Sequence, residues 1–318
     1  MRNSTLKRAA ALLIGAGALM AATIPAASAN AAPKVDTSKA EVVKRALPKS
    51  VAPKQSRTAK SAAAATDPVV TPTYALLNPG AVLKSGTDLV VGNTTLSMQT
   101  DGNMVLYLNA GNGSHIQVLW SSKTWGNTGA YGVMQSDGNF VIYRAGGESA
   151  GAVWSTQTWN KPNSAFALYQ GDLSVSDETT YYWESQTGFL PVRDAAGNYG
   201  ETPSDILKND QALFPNTWME SSTTVLVMQG DGNLVLYRKS DGKVIWSSNT
   251  WGHPGALAVL TDTGIFGVAD QNNAYWYTNT SGNYGAYVKV QSDGNVVLYR
   301  AGGESAGAAW ASNTWGKA

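Results

Sequence analysis

The stretch Gln99-Thr100-Asp101-Gly102-Asn103-Met104-Val105-Leu106-Tyr107 changes character at every second position. In an extended strand successive side chains point to opposite faces, so Gln99, Asp101, Asn103, Val105 and Tyr107 share one side. Met98, Met104 and Leu106 then face the other way, into a core. Gly102 sits in the tightest part of the run, where a side chain would obstruct approach to the polar wall.

The same sorting recurs along the chain. Gln135, Asp137, Asn139, Val141 and Tyr143 form a second copy. Gln229, Asp231, Asn233, Val235 and Tyr237 form another, and Gln291, Asp293, Asn295, Val297 and Tyr299 a further one. Two altered copies are read at Gln170-Gly171-Asp172-Leu173-Ser174-Val175-Ser176 and from Leu260 to Val268. The copies then begin at 99, 135 and 170, and at 229, 260 and 291. The break of 59 between the sets divides them into two blocks of three.

Each repeat carries a second mark, a tryptophan after small or β-branched residues: Trp120, Trp154, Trp183, Trp246, Trp276 and Trp310. These are expected in the core. Trp125, Trp159, Trp251 and Trp315 follow five residues later and are assigned to packing between sheets, with an extended glycan contact as the alternative. Residues 144–152 and 300–308 are identical, which points to duplication within the chain.

Each repeat has room for three or four short strands broken by Gly, Asn and Asp. One such sheet cannot bury its apolar face alone, whereas three closing around a pseudo-threefold axis can. A propeller is less compatible, because its blades usually number at least four. The expected class is all-β.

The outer wall offers two amides, a carboxylate, a phenol and one apolar contact. A pyranose needs such a mixture, because its hydroxyls donate and accept while its C–H face seeks apolar surface. Each wall holds one carboxylate, so the carboxylate pair of most glycoside hydrolases is missing. The chain has no cysteine for use as a nucleophile or in a disulfide. His115 and His253 lie outside the motifs and are expected as surface or turn residues. A calcium-loop reading of Asp-Gly-Asn fails for want of further acidic ligands. No catalytic residue, metal site or cofactor is assigned.

The pattern Gln-x-Asp-x-Asn-x-Val-x-Tyr resembles the mannose-binding signature of the bulb-type lectins first known from monocot plants, over about residues 73–318. The resemblance implies two tandem β-prism (type II) domains, each of three four-stranded antiparallel sheets, divided as 73–200 and 201–318. It implies that Asp101 and Asn103 hold the axial 2-hydroxyl of mannose, Gln99 the 3-hydroxyl and Tyr107 the 4-hydroxyl, with Val105 against the ring carbons. The same roles fall on the matching residues of the other three intact copies. The altered copies, lacking that set, are expected to bind no sugar. Plant members usually carry a disulfide, which this chain replaces by packing. Members often dimerise by exchanging C-terminal strands; a monomer or such a dimer is expected, and the tandem domains could satisfy the exchange internally. Bacterial lectin-like bacteriocins also resemble tandem bulb-type lectins, so an antibacterial toxin docking on target-cell glycans is the competing function. A sugar-targeting enzyme accessory and a purely structural surface protein are the others.

Charge separates the chain. Residues 67–318 hold 12 Lys and Arg against 20 Asp and Glu, and residues 32–66 hold 8 against 2. An acidic body argues against nucleic acid as a partner. Arg2, Lys7 and Arg8, the apolar run from Ala9 and the small residues to Ala31 read as a secretory signal peptide, residues 1–31. The expected protein is secreted and not transmembrane. Residues 32–72 read as a flexible basic arm or pro-segment, able to lie along an anionic cell wall.

Overall fold

A computed structural model of the chain describes residues 66–177, 179–193, 199–209 and 211–318. Residues 1–31, read from sequence as a signal peptide, and most of the segment read as a basic arm lie outside the described residues. From Thr66 onward the chain already belongs to the first unit: Val69–Val70 pairs with Ala75 and Leu76. Contacts divide the described residues into two compact units that meet in sequence at Gly188 and Phe189. That point is earlier than the 200/201 division expected from the resemblance. Leu190 joins the second unit's core, and its N–H donates to the Trp218 carbonyl at 2.6 Å.

Each repeat supplies three consecutive antiparallel strands. The first gives Thr94–Met98, Met104–Asn109 and His115–Ser121, the second Tyr131–Met134, Phe140–Tyr143 and Ala152–Ser155, and the third Ala165–Tyr169, Asp172–Ser176 and Tyr181–Glu184. The fourth strand of every sheet comes from the leading segment, in reverse order. Thr87–Val91 completes the first sheet, Val82–Leu83 the second and Tyr74–Leu77 the third. The second unit repeats the scheme. Thr217–Glu220, Ala212–Leu213 and Ile206–Lys208 complete the sheets of its first, second and third repeats. This is the β-prism expected from the sequence. Short edge strands extend two of the sheets, and a hairpin of Pro191–Arg193 with Tyr199–Pro203 precedes the second unit's sheets.

The last strand of each unit, Tyr181–Glu184 or Ala308–Ala311, pairs with the neighbouring strand of its own third sheet. Neither is exchanged, so the internal exchange expected between tandem domains is not made by these strands.

The alternation set by sequence fills the interior. Met98, Met104, Leu106, Phe140 and Ile142 are fully buried, as are Leu234, Leu236, Val296 and Leu298. Burial of such side chains contributes about 1.5–3 kcal/mol each, which has to hold a fold with no disulfide. One tryptophan from each sheet meets the other two. Trp120, Trp154 and Trp183 lie edge to face, with centroids 5.2, 5.5 and 5.7 Å apart. Trp246, Trp276 and Trp310 do the same at 5.2, 5.5 and 5.9 Å. All six are half-buried, and the second trio packs against its unit's core. Edge-to-face pairs contribute about 0.5–1.5 kcal/mol beyond burial.

Trp276→Ala removes both of its edge contacts together with its contact on Phe266. The expected cost is about 3 kcal/mol, read as an earlier unfolding transition in urea.

Candidate functional site

The site is built on one hairpin per repeat. In the first, Met98 pairs with Met104, and the Gln99 N–H donates to the Asn103 carbonyl across a tight turn. The Asp101 carboxylate caps that turn by accepting the Asn103 N–H at 2.9 Å. The same bond recurs at 2.9 Å from Asn139 to Asp137, from Asn233 to Asp231 and from Asn295 to Asp293. Asp is favoured there because its short side chain reaches a backbone N–H two residues on. All four aspartates are exposed.

At the far end of the wall, Gln99 Nε2 donates to the Tyr107 hydroxyl at 2.9 Å. The pair repeats for Gln135 and Tyr143 at 3.0 Å, Gln229 and Tyr237 at 2.8 Å, and Gln291 and Tyr299 at 2.9 Å. With the hydroxyl accepting from the amide, its proton is left to be given outward. Burial pushes the Tyr143 and Tyr237 phenols above their ordinary range, so both keep that proton at neutral pH. Gln99 and Tyr107 and their counterparts therefore meet on one side of the hairpin, while Val105, Val141, Val235 and Val297 are buried.

Asn103 is divided between two roles. Its Oδ1 accepts from the Ser121 and Ser122 hydroxyls and from the Thr124 N–H, each at 3.1 Å. Asn139, Asn233 and Asn295 accept from the matching Ser or Thr and from Thr158, Thr250 or Thr314. The carbonyl oxygen thus holds the following loop, and only the amide nitrogen is left for the wall.

Gly102 serves the same loop. It adopts φ +92°, and a Cβ there would stand 2.2 Å from the Asn127 carbonyl oxygen. The expectation that glycine keeps the approach to the wall open is corrected: it lets backbone cross backbone. Its carbonyl accepts the Thr124 hydroxyl at 2.6 Å.

These bonds also correct the alignment of the altered copies. In the third repeat, Ser185 and the Thr187 N–H donate to Asp172 Oδ1 at 2.7 and 3.0 Å, so Asp172 holds the position of Asn103. Gly171 is therefore retained, and Tyr169 rather than Gln170 stands in the Gln99 position. One residue is deleted, leaving a two-residue turn with Gln170 and Gly171 at positive φ. In the fifth, the Thr261 N–H donates to the Ile265 carbonyl, so Thr261, Thr263, Ile265, Gly267 and Ala269 replace the five wall residues. The reading from Leu260 is one residue out of register. Both outer faces are buried, with Ser174 and Ser176 beside the apolar residues of one and Thr261 and Thr263 beside those of the other. One clusters Leu76, Ala165, Ala167 and Tyr169, and the other Leu257, Val259, Ile265 and Ala269.

The intact walls differ in their surroundings. The first has Ser97 beside Val105, and His115 stacks on the Tyr107 ring at 3.8 Å. His115 is thus a strand residue against the motif, not a loop residue. His253 lies in the loop crossing Gly232 and stacks on Tyr275 at 3.7 Å. The second and sixth walls gain Tyr131 and Tyr287 beside Tyr143 and Tyr299, and the sixth has Lys289 beside Val297. Sequence reading missed these neighbours because they come from the preceding strand, where only pairing register reveals them. The fourth wall is the most covered: Tyr237 is 7% exposed, and its neighbours Val225, Val227 and Trp218 are fully buried. Among the described residues no group of three or more His, Asp or Glu is placed to hold a metal.

No protein-family model matches the chain. Among curated proteins it is 30% identical to mannose-specific lectin 2 of Colocasia esculenta over 229 residues, which is 69% of this chain and 80% of that protein. The chain belongs to the monocot mannose-specific, bulb-type lectin family. It is also 25% identical over 237 residues to mannose-specific lectin 2 of Crocus vernus, 70% of this chain and 84% of that one. Among solved structures it is similar to a monomeric mannose-binding lectin from Gastrodia elata (30% identity, 35% of this chain, 99% of that chain, TM-score 0.32). Another is the two-domain, fetuin-binding agglutinin of Scilla campanulata (25% identity, 74% of this chain, 99% of that chain, TM-score 0.28).

Asn103→Asp should leave the thermal midpoint nearly unchanged, because a carboxylate supplies the same acceptor, as Asp172 does. Asn103→Leu should cost about 2 kcal/mol by stranding Thr124 N–H and two hydroxyls. Gly102→Ala should destabilise the first unit more than Asn103→Leu, through both its φ and the clash with Asn127. Thermal melts of the three variants rank them.

Proposed function

We propose that the protein is a secreted, multivalent lectin that recognises mannose-containing glycans without catalysis, through the four intact walls. The carrying observation is the Gln–Tyr pair on a hairpin whose turn is capped by an exposed Asp, present in four repeats and absent from the two altered ones. The relatives that share the chain's sequence are named mannose-specific.

Within each wall Asp101 Oδ2 accepts from the axial 2-hydroxyl, and Asn103 Nδ2 donates to it. Gln99 meets the 3-hydroxyl, the Tyr107 proton goes to the 4-hydroxyl, and Val105 lies under the ring carbons. The matching residues act alike in the other three walls. A lone carboxylate that already caps a backbone N–H leaves no second acid for glycoside hydrolysis. Few hydrogen bonds on a shallow surface give about millimolar affinity for one sugar, roughly −4 kcal/mol. Avidity then comes from several walls on one chain, up to ~10²–10⁴-fold where glycan spacing fits.

The leader of residues 1–31 supports export, and the basic arm supports retention at an anionic cell wall.

Titration of the full chain with methyl α-D-mannoside tests the reading. Replacing Tyr107, Tyr143 and Tyr299 together by Phe removes three outward protons and leaves the buried Tyr237 in place. About a tenfold loss of affinity with an unchanged far-UV spectrum is expected. Equal affinity in the variant, or no binding by the natural chain, overturns it.

A further inference from the structure

A threonine locks every repeat onto its own turn. Thr124, Thr158, Thr187, Thr250, Thr280 and Thr314 donate to the carbonyls of Gly102, Gly138, Gly171, Gly232, Gly264 and Gly294 at 2.6–2.7 Å. The residue after that threonine is Trp125, Trp159, Trp251 or Trp315 in the four repeats with an intact wall. In the two altered repeats it is Gly188 or Ser281. The lock therefore forms without a tryptophan.

Nor are these tryptophans packing between sheets, as the sequence suggested. They are 62, 52, 62 and 74% exposed, among the most exposed large apolar side chains of the protein. An indole left in water contributes little to stability, so its restriction to intact walls calls for a ligand.

Their place is fixed from both sides. The preceding threonine N–H is bonded to the motif asparagine in all four. Just beyond the indole, Lys161, His253 and Gly316 donate their N–H to the carbonyls of Asp137, Asp231 and Asp293 at 2.8, 2.9 and 2.7 Å. The backbone that carries each indole thus runs past the Asp–Asn end of its own hairpin, held on both sides at Trp159, Trp251 and Trp315 and through the Thr124 N–H at Trp125.

We infer that Trp125, Trp159, Trp251 and Trp315 form a second subsite at each wall, an aromatic face that takes the apolar side of the sugar residue next to the bound mannose. The inference rests on the mannose reading of the walls and adds a preference for oligosaccharides over single sugars. A planar indole presents a wide apolar surface at little cost in side-chain freedom, and the ring C–H groups of a pyranose are its complement.

The test compares methyl α-D-mannoside with α-1,3- and α-1,6-linked mannobiose by calorimetry on the full chain. At least one mannobiose should bind about three- to tenfold more tightly than the monosaccharide. Trp125→Ser, Trp159→Ser, Trp251→Ser and Trp315→Ser together, borrowing the residue found at 281, should abolish that gain and leave the monosaccharide affinity within about twofold. Tyr at the same four positions should restore most of it. A gain that survives the Ser variant, or its absence from the natural chain, overturns the second subsite while the mannose reading stands. Loss of monosaccharide affinity in a folded Ser variant overturns it as well, by placing the indoles in the first site. Failure of the natural chain to bind methyl α-D-mannoside at all defeats the mannose reading, and the subsite with it.

Discussion

The hydroxyl of one threonine, donated to the carbonyl of a turn glycine, holds each sheet in a working shape. The bond is short in all six repeats, and it draws the loop leaving one sheet across the hairpin turn of the same sheet. Only glycine permits that crossing, since a Cβ at 102, 138, 232 or 264 would lie within 2.3 Å of a carbonyl oxygen. The motif asparagine or its Asp172 substitute tightens the same crossing by accepting from the loop. With the loop fixed, the outer wall is rigid before any ligand arrives, and rigidity lowers the cost of binding.

This arrangement separates residues that look alike in sequence. Gln99 and Tyr107 hold each other and face outward, so they have little to do with the fold. Asp101 caps the turn with one oxygen and keeps the other for the wall. Asn103 gives its carbonyl to the fold and keeps its amide nitrogen. The altered repeats show the division. The third keeps an acceptor at the Asn position, in Asp172, while placing Tyr169, Ser174 and Ser176 along the wall. The fifth gives up even the acceptor, and Ile265 is buried instead, its N–H taken by the Thr261 hydroxyl at 3.0 Å. In each case the Gln–Tyr pair is gone and the outer face is buried. The loss of the sugar-like set and the gain of packing surface are two sides of one substitution pattern.

The repeat count, the two faces of each hairpin and the clustering of one tryptophan per sheet were all legible in the sequence. They follow from local rules: a period of two along a strand, and the need of a small sheet to bury one side. The positions of the four intact walls were legible for the same reason. The copy from Leu260 is read one residue out of register, and in the third copy only the turn is misassigned, Gln170 standing for Tyr169 and the Gly-Asn pair read as lost, because these turns had changed length or capping chemistry. Only the hydrogen bonds to Asp172 and Ile265 identify the true equivalents. Trp125 and its counterparts were misassigned to packing because a strand pattern does not say how far a loop residue stands from its neighbours. Tyr131, Tyr287 and Lys289 went unnoticed beside the walls because they lie in other strands.

The sequence by itself determined which side chains go in and which go out, because that choice is made every two residues along the chain. Tertiary structure alone decided which segment closes each sheet and which outer walls stay open. Tyr74 pairs with Tyr169, and Ile206 with Lys289, across most of a unit. No local pattern encodes pairings of that reach. They are set by the reversed order in which the leading segment visits the three sheets, and hence by how each unit closes around its three clustered tryptophans.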